Sequence, residues 1–286
     1  MKQKQGSQTA IFVAIMRALG HRAPWVPGFR DPTAEVFLGK QFRSFEASLK
    51  SKMGKFLAHK LETFWSSLAV NFQFRTVILD QVIENSLPFD QLVILGAGYD
   101  GRAWRLESLK NVKVFEVDHP ATQEVKKKAL DRLVQCADQV QLLPIDFTTD
   151  DLGACLDAAG FDSRLKTVWI WEGVVMYLTA EQIRQTMACI AGRSSKDSRL
   201  ALSYLPHGLK IGSRLVSRIG EPMLTVTAPG EFGKLAEGTG WKTESDSGVA
   251  DWRRELMDGN QVWFQWLHPK NWYERIWVGV PTIDDK

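Results

Sequence analysis

Residues 92–101, Leu-Val-Ile-Leu-Gly-Ala-Gly-Tyr-Asp-Gly, constrain the fold more than any other stretch of this chain. Four apolar residues, Leu92 to Leu95, run without interruption into a turn that carries Gly96, Gly98 and Gly101. The apolar run predicts a buried strand. The glycines allow a tight turn and a close approach of ligand to backbone, with no Cβ in the way. Residues 102–106 can open a helix behind the turn. The stretch therefore predicts the strand–turn–helix of an open α/β sheet, in which ligands sit beyond the carboxyl ends of the strands.

The flanking sequence fills in the rest of such a fold. From Thr9 to about Leu19 the apolar spacing is helical, and Pro24, Pro27, Gly28 and Pro32 break it. Asp31-Pro32-Thr33-Ala34-Glu35 reads as a helix start, and spaced apolar residues predict helices over Ser44–Leu68 and Phe72–Ile83. Residues 1–88 are thus expected to form a helical cap, a candidate lid. Residues 89–204 carry the core. Its strands are expected over Leu92–Leu95, Val112–Val117, Val140–Leu143, Thr167–Trp171 and Arg199–Tyr204. Its helices are expected over Ala103–Leu109, Ala121–Val134 and Asp151–Ala159, and after the capping-box sequence Thr179-Ala180-Glu181-Gln182. Residues 205–286 supply an irregular to helical lid insertion, a short helix over Glu231–Glu237 and last strands over Trp241–Glu244 and Ile276–Val280. The expectation is one domain, a Rossmann-like α/β sheet with helices on both faces. Trp252, Trp263, Trp266, Trp272 and Trp277 crowd the last part and read as core or sheet-face residues, with room for one or two to wall a substrate.

Composition narrows the function classes. Lys and Arg number 36 against 33 Asp and Glu, so nothing marks a nucleic-acid surface, and Lys126-Lys127-Lys128 reads as a solvated helix face. Cys136, Cys155 and Cys189 have no metal-ligand spacing; an odd count without a framework fits a reducing cytoplasm. No apolar stretch reaches the about 18–20 residues of a membrane span. No metal is expected, because histidines and carboxylates lack ligand spacing.

Read literally, Gly96, Gly98 and Gly101 spell G-x-G-x-x-G, and Asp118 stands 22 residues beyond Gly96 at the end of a second apolar run. That is the dinucleotide fingerprint with its ribose-binding acid. Asp100 lies inside the loop, however, where a pyrophosphate would meet a carboxylate. S-adenosylmethionine (SAM), which has a ribose and an ammonium but no phosphate, suits the loop better. Glu172 also demands a partner, because it directly follows the apolar run Val168-Trp169-Ile170-Trp171 and a carboxylate at that depth is costly alone.

Four strings resemble the leucine carboxyl methyltransferase family of SAM-dependent O-methyltransferases, particularly its bacterial small-molecule branch. They are Leu95-Gly96-Ala97-Gly98-Tyr99-Asp100, Phe115-Glu116-Val117-Asp118-His119-Pro120, Asp146-Phe147, and Glu172-Gly173-Val174-Val175-Met176-Tyr177-Leu178. Arg75-Thr76 matches the Arg-Thr of the preceding helix. The resemblance holds from about Thr9 to Tyr177 and fades after about Tyr204. It implies a class I SAM-dependent methyltransferase sheet with an N-terminal helical cap, SAM as cofactor, and roles for single residues. Arg75 would pair with the SAM carboxylate, and Gly96 would lie against the methionine part, with Ala97 and Gly98 completing the loop. Asp118 would hold the ribose diol with His119 beside it. Asp146 and Phe147 would contact the adenine, and Glu172 would bind near the amino group and the sulfonium.

The expected reaction is in-line transfer of a methyl group to an oxygen of a small molecule such as a secondary metabolite. A carboxylate acceptor is ionised at neutral pH and needs no base. A hydroxyl would need one, and Tyr177 and His207 are the candidates. Three other readings stand beside this one: a protein C-terminal carboxyl methyltransferase, an NAD-dependent oxidoreductase, and a SAM-binding module without turnover.

Overall fold

A computed structural model of the chain describes residues 8–22, 24–40, 42, 44, 55–147, 149–206, 223–257 and 274–282, with the backbone alone over 55–68. Among the described residues, the helices α1 (Gln8–Arg22), α2 (Thr33–Leu38) and α3 (Lys55–Asn85) precede the sheet. The expected Phe72–Ile83 helix lies inside α3, because no breaker separates it from the residues before it; most of the expected Ser44–Leu68 helix before Lys55 lies outside the described residues. Then follow β1 (Gln91–Leu95), β2 (Lys113–Asp118), α4 (Pro120–Leu130), β3 (Gln139–Pro144), α5 (Leu152–Ala158), β4 (Thr167–Trp171), α6 (Ala180–Ala191) and β5 (Arg199–Tyr204). The chain closes with α7 (Phe232–Ala236), β6 (Trp241–Gly248), α8 (Val249–Leu256) and β7 (Arg275–Pro281).

The seven strands form one sheet in the order β3-β2-β1-β4-β5-β7-β6. β1 to β5 pair in parallel, and β7 enters antiparallel between β5 and β6. The order reverses between β1 and β4, so the crevice of this doubly wound sheet opens beyond the carboxyl ends of those two strands. The glycine turn leaves β1 there, and Glu172 leaves β4 beside it.

Alternation along the strands divides the core into two layers. Leu92 and Ile94 join Val114, Val168 and Ile170 under α1, α3 and α4, together with Phe74, Leu79 and Trp252. Val93 and Leu95 join Phe115, Val117, Trp169 and Leu202 under α5, α6 and α7, together with Trp277. Trp252 and Trp277 are therefore core residues, while Trp263, Trp266 and Trp272 lie outside the described residues.

One local expectation needs correction. No α-helix spans Ala103–Leu109; the chain makes two single 3-10 turns, Arg102–Trp104 and Glu107–Leu109. The Asp100 carboxylate accepts the backbone N–H of Arg102 at 2.7 Å, and so short a crossover cannot repay helix nucleation. Residues 249–256, for which no element was expected, form α8, whose Gly248 N–H donates to Asp251 Oδ2 at 3.0 Å. Of the expected 205–227 insertion, residues 223–227 are described. They lie as a strap: the Leu224 and Thr225 amides donate to Met176 O at 2.8 and 3.2 Å, and Pro206 bridges Thr227. Among the described residues, no helix is long and apolar enough to cross a membrane.

Candidate functional site

The turn after β1 is closed by bonds to the end of β2. Gly96 and Gly98 have φ of +67° and +51°, the left-handed region that glycine adopts at least cost. The N–H groups of Gly96 and Ala97 donate to Val117 O at 2.8 and 3.0 Å, and Gly98 N–H donates to Asp118 Oδ2 at 2.5 Å. The other Asp118 oxygen accepts from His119 N–H at 2.6 Å. Burial pushes the Asp118 carboxyl up from its ordinary value, and the two backbone bonds pull it back. His119 caps α4, its Nδ1 accepting from Ala121 N–H at 3.2 Å, and its Nε2 lies 3.9 Å from Asp146 Oδ2. Beyond Asp146, the ring of Phe147 is 46% exposed at the rim.

A chain of buried charges continues from the loop to β7. Arg102 donates to Asp100, to Asp80 Oδ1 at 2.8 Å and to Glu172 Oε2 at 2.8 Å. Arg105 closes on Asp80 at 2.6 and 2.9 Å. The other Glu172 oxygen accepts from Arg75 Nε at 2.7 Å. Arg75 Nη1 in turn donates to both oxygens of Glu274, at 2.9 and 2.6 Å, across 199 residues of sequence. Burial opposes the charge of Glu172, but Arg75, Arg102 and Arg17 outweigh it and hold the carboxyl well below the usual carboxylate range. Burial likewise opposes charge on Arg75, and Glu274 and Glu172 outweigh it, so the guanidinium stays charged. The partner that Glu172 required is thus a pair of arginines.

The sequence pattern of the leucine carboxyl methyltransferase family matches residues 10–191, which contain the glycine turn, Asp118, Asp146 and Glu172. The chain belongs to the leucine carboxyl methyltransferase family. It is a SAM-dependent methyltransferase. A protein of Frankia alni, provisionally named a SAM-dependent methyltransferase, is 30% identical over 243 residues, 83% of this chain and 82% of that one. A Mycolicibacterium smegmatis protein with the same kind of name is 38% identical over 221 residues, 74% of this chain and 71% of that one. The crystal structure of the SAM-dependent methyltransferase SibL in its apo form aligns with a TM-score of 0.50 at 11% identity, over 93% of this chain and 73% of that one. At that identity the likeness concerns the fold alone.

The residues of this methyltransferase fit SAM better than a dinucleotide, for a reason other than the one the sequence suggested. Asp100 would not meet a pyrophosphate as a free carboxylate, because it is paired with Arg102. A dinucleotide loop offers free amides at a helix N-terminus to its pyrophosphate. Here the amides of Gly96, Ala97 and Gly98 already have acceptors, and a 3-10 turn stands where the helix would begin. The ionic chain adds to this. Among the described residues, ion pairs join Asp80, Asp100, Glu172 and Glu274 to Arg75, Arg102 and Arg105, so this connected set carries one excess negative charge, while Arg17, which also acts on Glu172, is balanced by its own partner Asp31. That balance suits a ligand bearing a sulfonium and an ammonium.

The structure brings most of the expected site residues to one edge of the sheet. Arg75, Gly98, Asp118 and Glu172 lie along the strand ends, with His119, Asp146 and Phe147 at the β2–β3 side. At Gly96 an added Cβ would stand 2.3 Å from Val174 Cγ2, so this glycine closes the β1 turn against the β4 turn. Tyr177 is half-buried in the turn on which the 223–227 strap docks. His207 lies outside the described residues. Lys126 corrects an expectation: it is buried rather than solvated, donating to Asp100 O at 2.6 Å and to Glu116, with the rings of Phe37 and Trp104 around it. Among the described residues no group of His, Cys, Asp and Glu could hold a metal ion. Glu274 was not expected in the site: Arg275 separates it from the apolar run of β7, so it lacks the direct junction with an apolar run that marks Glu172 after β4.

Proposed function

We propose that this methyltransferase places the SAM methyl group on a carboxylate or hydroxyl oxygen of a small molecule, of the secondary-metabolite kind. One observation carries the preference for a small acceptor: the cap is bonded to the glycine turn. Arg17 on α1 donates to Tyr99 O at 2.6 Å and pairs with Asp31 at 3.2 Å. Ala10, also on α1, stands 3.3 Å from where a Cβ on Gly98 would lie. A cap seated on the cofactor turn leaves little room for a folded protein substrate.

SAM supplies an activated methyl group on a sulfonium. The chain's own residues supply position and exclusion of water. Asp118, its carboxylate oriented by two amides, takes the ribose hydroxyls. Asp146 and the exposed Phe147 ring take the adenine. Glu172 faces the positive end, and Arg75 offers Nη2 to the carboxylate, since its Nε and Nη1 are held by Glu172 and Glu274. Ala97 and His119 complete the loop wall. An acceptor carboxylate attacks without a base. An acceptor hydroxyl would hand its proton to Tyr177 or His207. The proposal places the protein in the cytoplasm and keeps the division into cap 1–88, core 89–204 and C-terminal part 205–286.

Isothermal titration with SAM, S-adenosylhomocysteine and NADH tests the cofactor site. Both adenosyl ligands should bind, and Asp118→Ala should abolish both. Binding of NADH alone would return the glycine turn to the dehydrogenases. With labelled SAM, small carboxylic acids and phenols should accept methyl groups where peptides ending in leucine do not. Base-labile product marks an ester and base-stable product an ether. Methylation confined to the peptides would overturn the small-molecule reading.

A further inference from the structure

Glu274 lies outside the residues matched by the family pattern, yet it is more buried than Glu172 or Asp80 in the same ionic chain. It is 3% exposed and both of its oxygens bind Arg75 Nη1. Its position follows from the topology. β7 is antiparallel, and its first residue, Arg275, pairs with Tyr204, the last residue of β5. Glu274 therefore stands at the sheet edge where the parallel strands end, two strands from β4. β4 releases Glu172 at that same edge, and Gly173 N–H donates to Ser203 Oγ on β5 at 2.8 Å.

Its charge has an uneven effect. Without Glu274, the connected set among the described residues would hold Asp80, Asp100 and Glu172 against Arg75, Arg102 and Arg105, and would be neutral. With it, the set carries one excess negative charge beside Glu172. Glu274 bonds Arg75 alone among the described residues, so it tips this balance without holding the glycine turn itself. The two forms of the cofactor differ by one positive charge: SAM has a sulfonium, and its product S-adenosylhomocysteine has a neutral thioether.

We propose that Glu274 is a charge-setting residue of the cofactor site, held on Arg75 so that the site prefers the sulfonium cofactor to the thioether product. The inference rests on the SAM site described above. Preference for the cation favours loading, and loss of the positive charge on methyl transfer favours release. Glu274 touches Arg75 rather than any reacting atom, so it is a positioning residue.

The test measures affinities of the intact chain for SAM, S-adenosylhomocysteine and sinefungin, a stable analogue whose amine carries charge where the sulfonium would be. In Glu274→Gln the two cationic ligands should weaken by about 5-fold and the thioether by less than about 2-fold, the pattern of a lost long-range charge in a partly screened site. Glu274→Asp should restore the preference. Thermal unfolding of each variant establishes that it folds. Equal weakening of all three ligands would make Glu274 a scaffold residue and overturn the proposal. Tightening of all three would mean that Glu274 competes with the cofactor carboxylate for Arg75, and would overturn it too. If the unaltered chain binds none of the three, the cofactor site itself is wrong.

Discussion

Gly96 illustrates how one residue can be fixed twice. Its φ of +67° disfavours any side chain, and an added Cβ would meet Val174 at 2.3 Å. Gly96→Ala should therefore cost about 2–4 kcal/mol, combining backbone strain with overpacking. Val174→Ala in the same chain should recover only the packing part, because the φ remains. Denaturant unfolding of the single and double variants reads the difference. Glu172 is fixed by charge. Glu172→Gln leaves Arg75 and Arg102 each short of a carboxylate in a buried place, and breaking such a pair costs about 3–5 kcal/mol. Unfolding midpoints of that variant and of Arg75→Met/Glu172→Gln/Glu274→Gln, which also neutralises the carboxylate that Arg75 would leave stranded, distinguish a broken charge network from a change of shape. A triple variant no more stable than the single would show that the charge of Arg75 is not the cause.

At the scale of elements, the Lys126–Glu116 pair ties α4 to β2 and to the glycine turn. Glu116 is fully buried, and burial pushes its carboxyl up to about 7 despite Lys126. The Lys126 ammonium reaches Asp100 O through a cradle formed by Phe37 of α2 and Trp104. Lys126→Met alone should destabilise by about 3 kcal/mol, since it strands the carboxylate, whereas Lys126→Met/Glu116→Gln should recover most of that loss. A double-mutant cycle in denaturant measures the coupling, and additive effects would deny it. The sequence presented Lys126 as one of three adjacent lysines on an exposed face. Only the packing of α4 against β2 and α2 turns it inward. The missing Ala103–Leu109 helix has the same kind of cause: the residues are compatible with helix, but the crossover from β1 to β2 is too short and is turned by Asp100.

At the scale of the whole molecule, buried carboxylates give the stability two opposite pH slopes. Glu172 and Asp31 are held below their ordinary values of 4.5 and 3.8, with arginines outweighing burial in each case. Their contribution is full above those values and is lost as pH falls through the lower folded values. Glu116 is raised from 4.5 to about 7, so the folded state binds the extra proton and stability declines as pH rises between them. The melting temperature should thus fall steeply below about pH 4. The difference between the unaltered chain and Lys126→Met/Glu116→Gln should shrink from pH 5 to pH 8. A difference that stays constant across that range would show that Glu116 does not titrate there.

The sequence by itself determined the strands, the glycine turn, the order of acids at successive strand ends and the family, because each is a local signal. A continuous apolar run, a glycine needing positive φ and an acid abutting a buried strand can be read within about ten residues. Tertiary structure decided which charges meet. Arg75, Glu172 and Glu274 lie on α3, after β4 and before β7, and only the insertion of an antiparallel β7 beside β5 brings the last of them to the first. Pairing across 199 residues leaves no local pattern, since either partner alone reads as an ordinary surface residue. The same holds for the spent amides of the glycine turn, whose acceptors belong to β2. The choice of SAM over a dinucleotide was legible, but its physical reason was not.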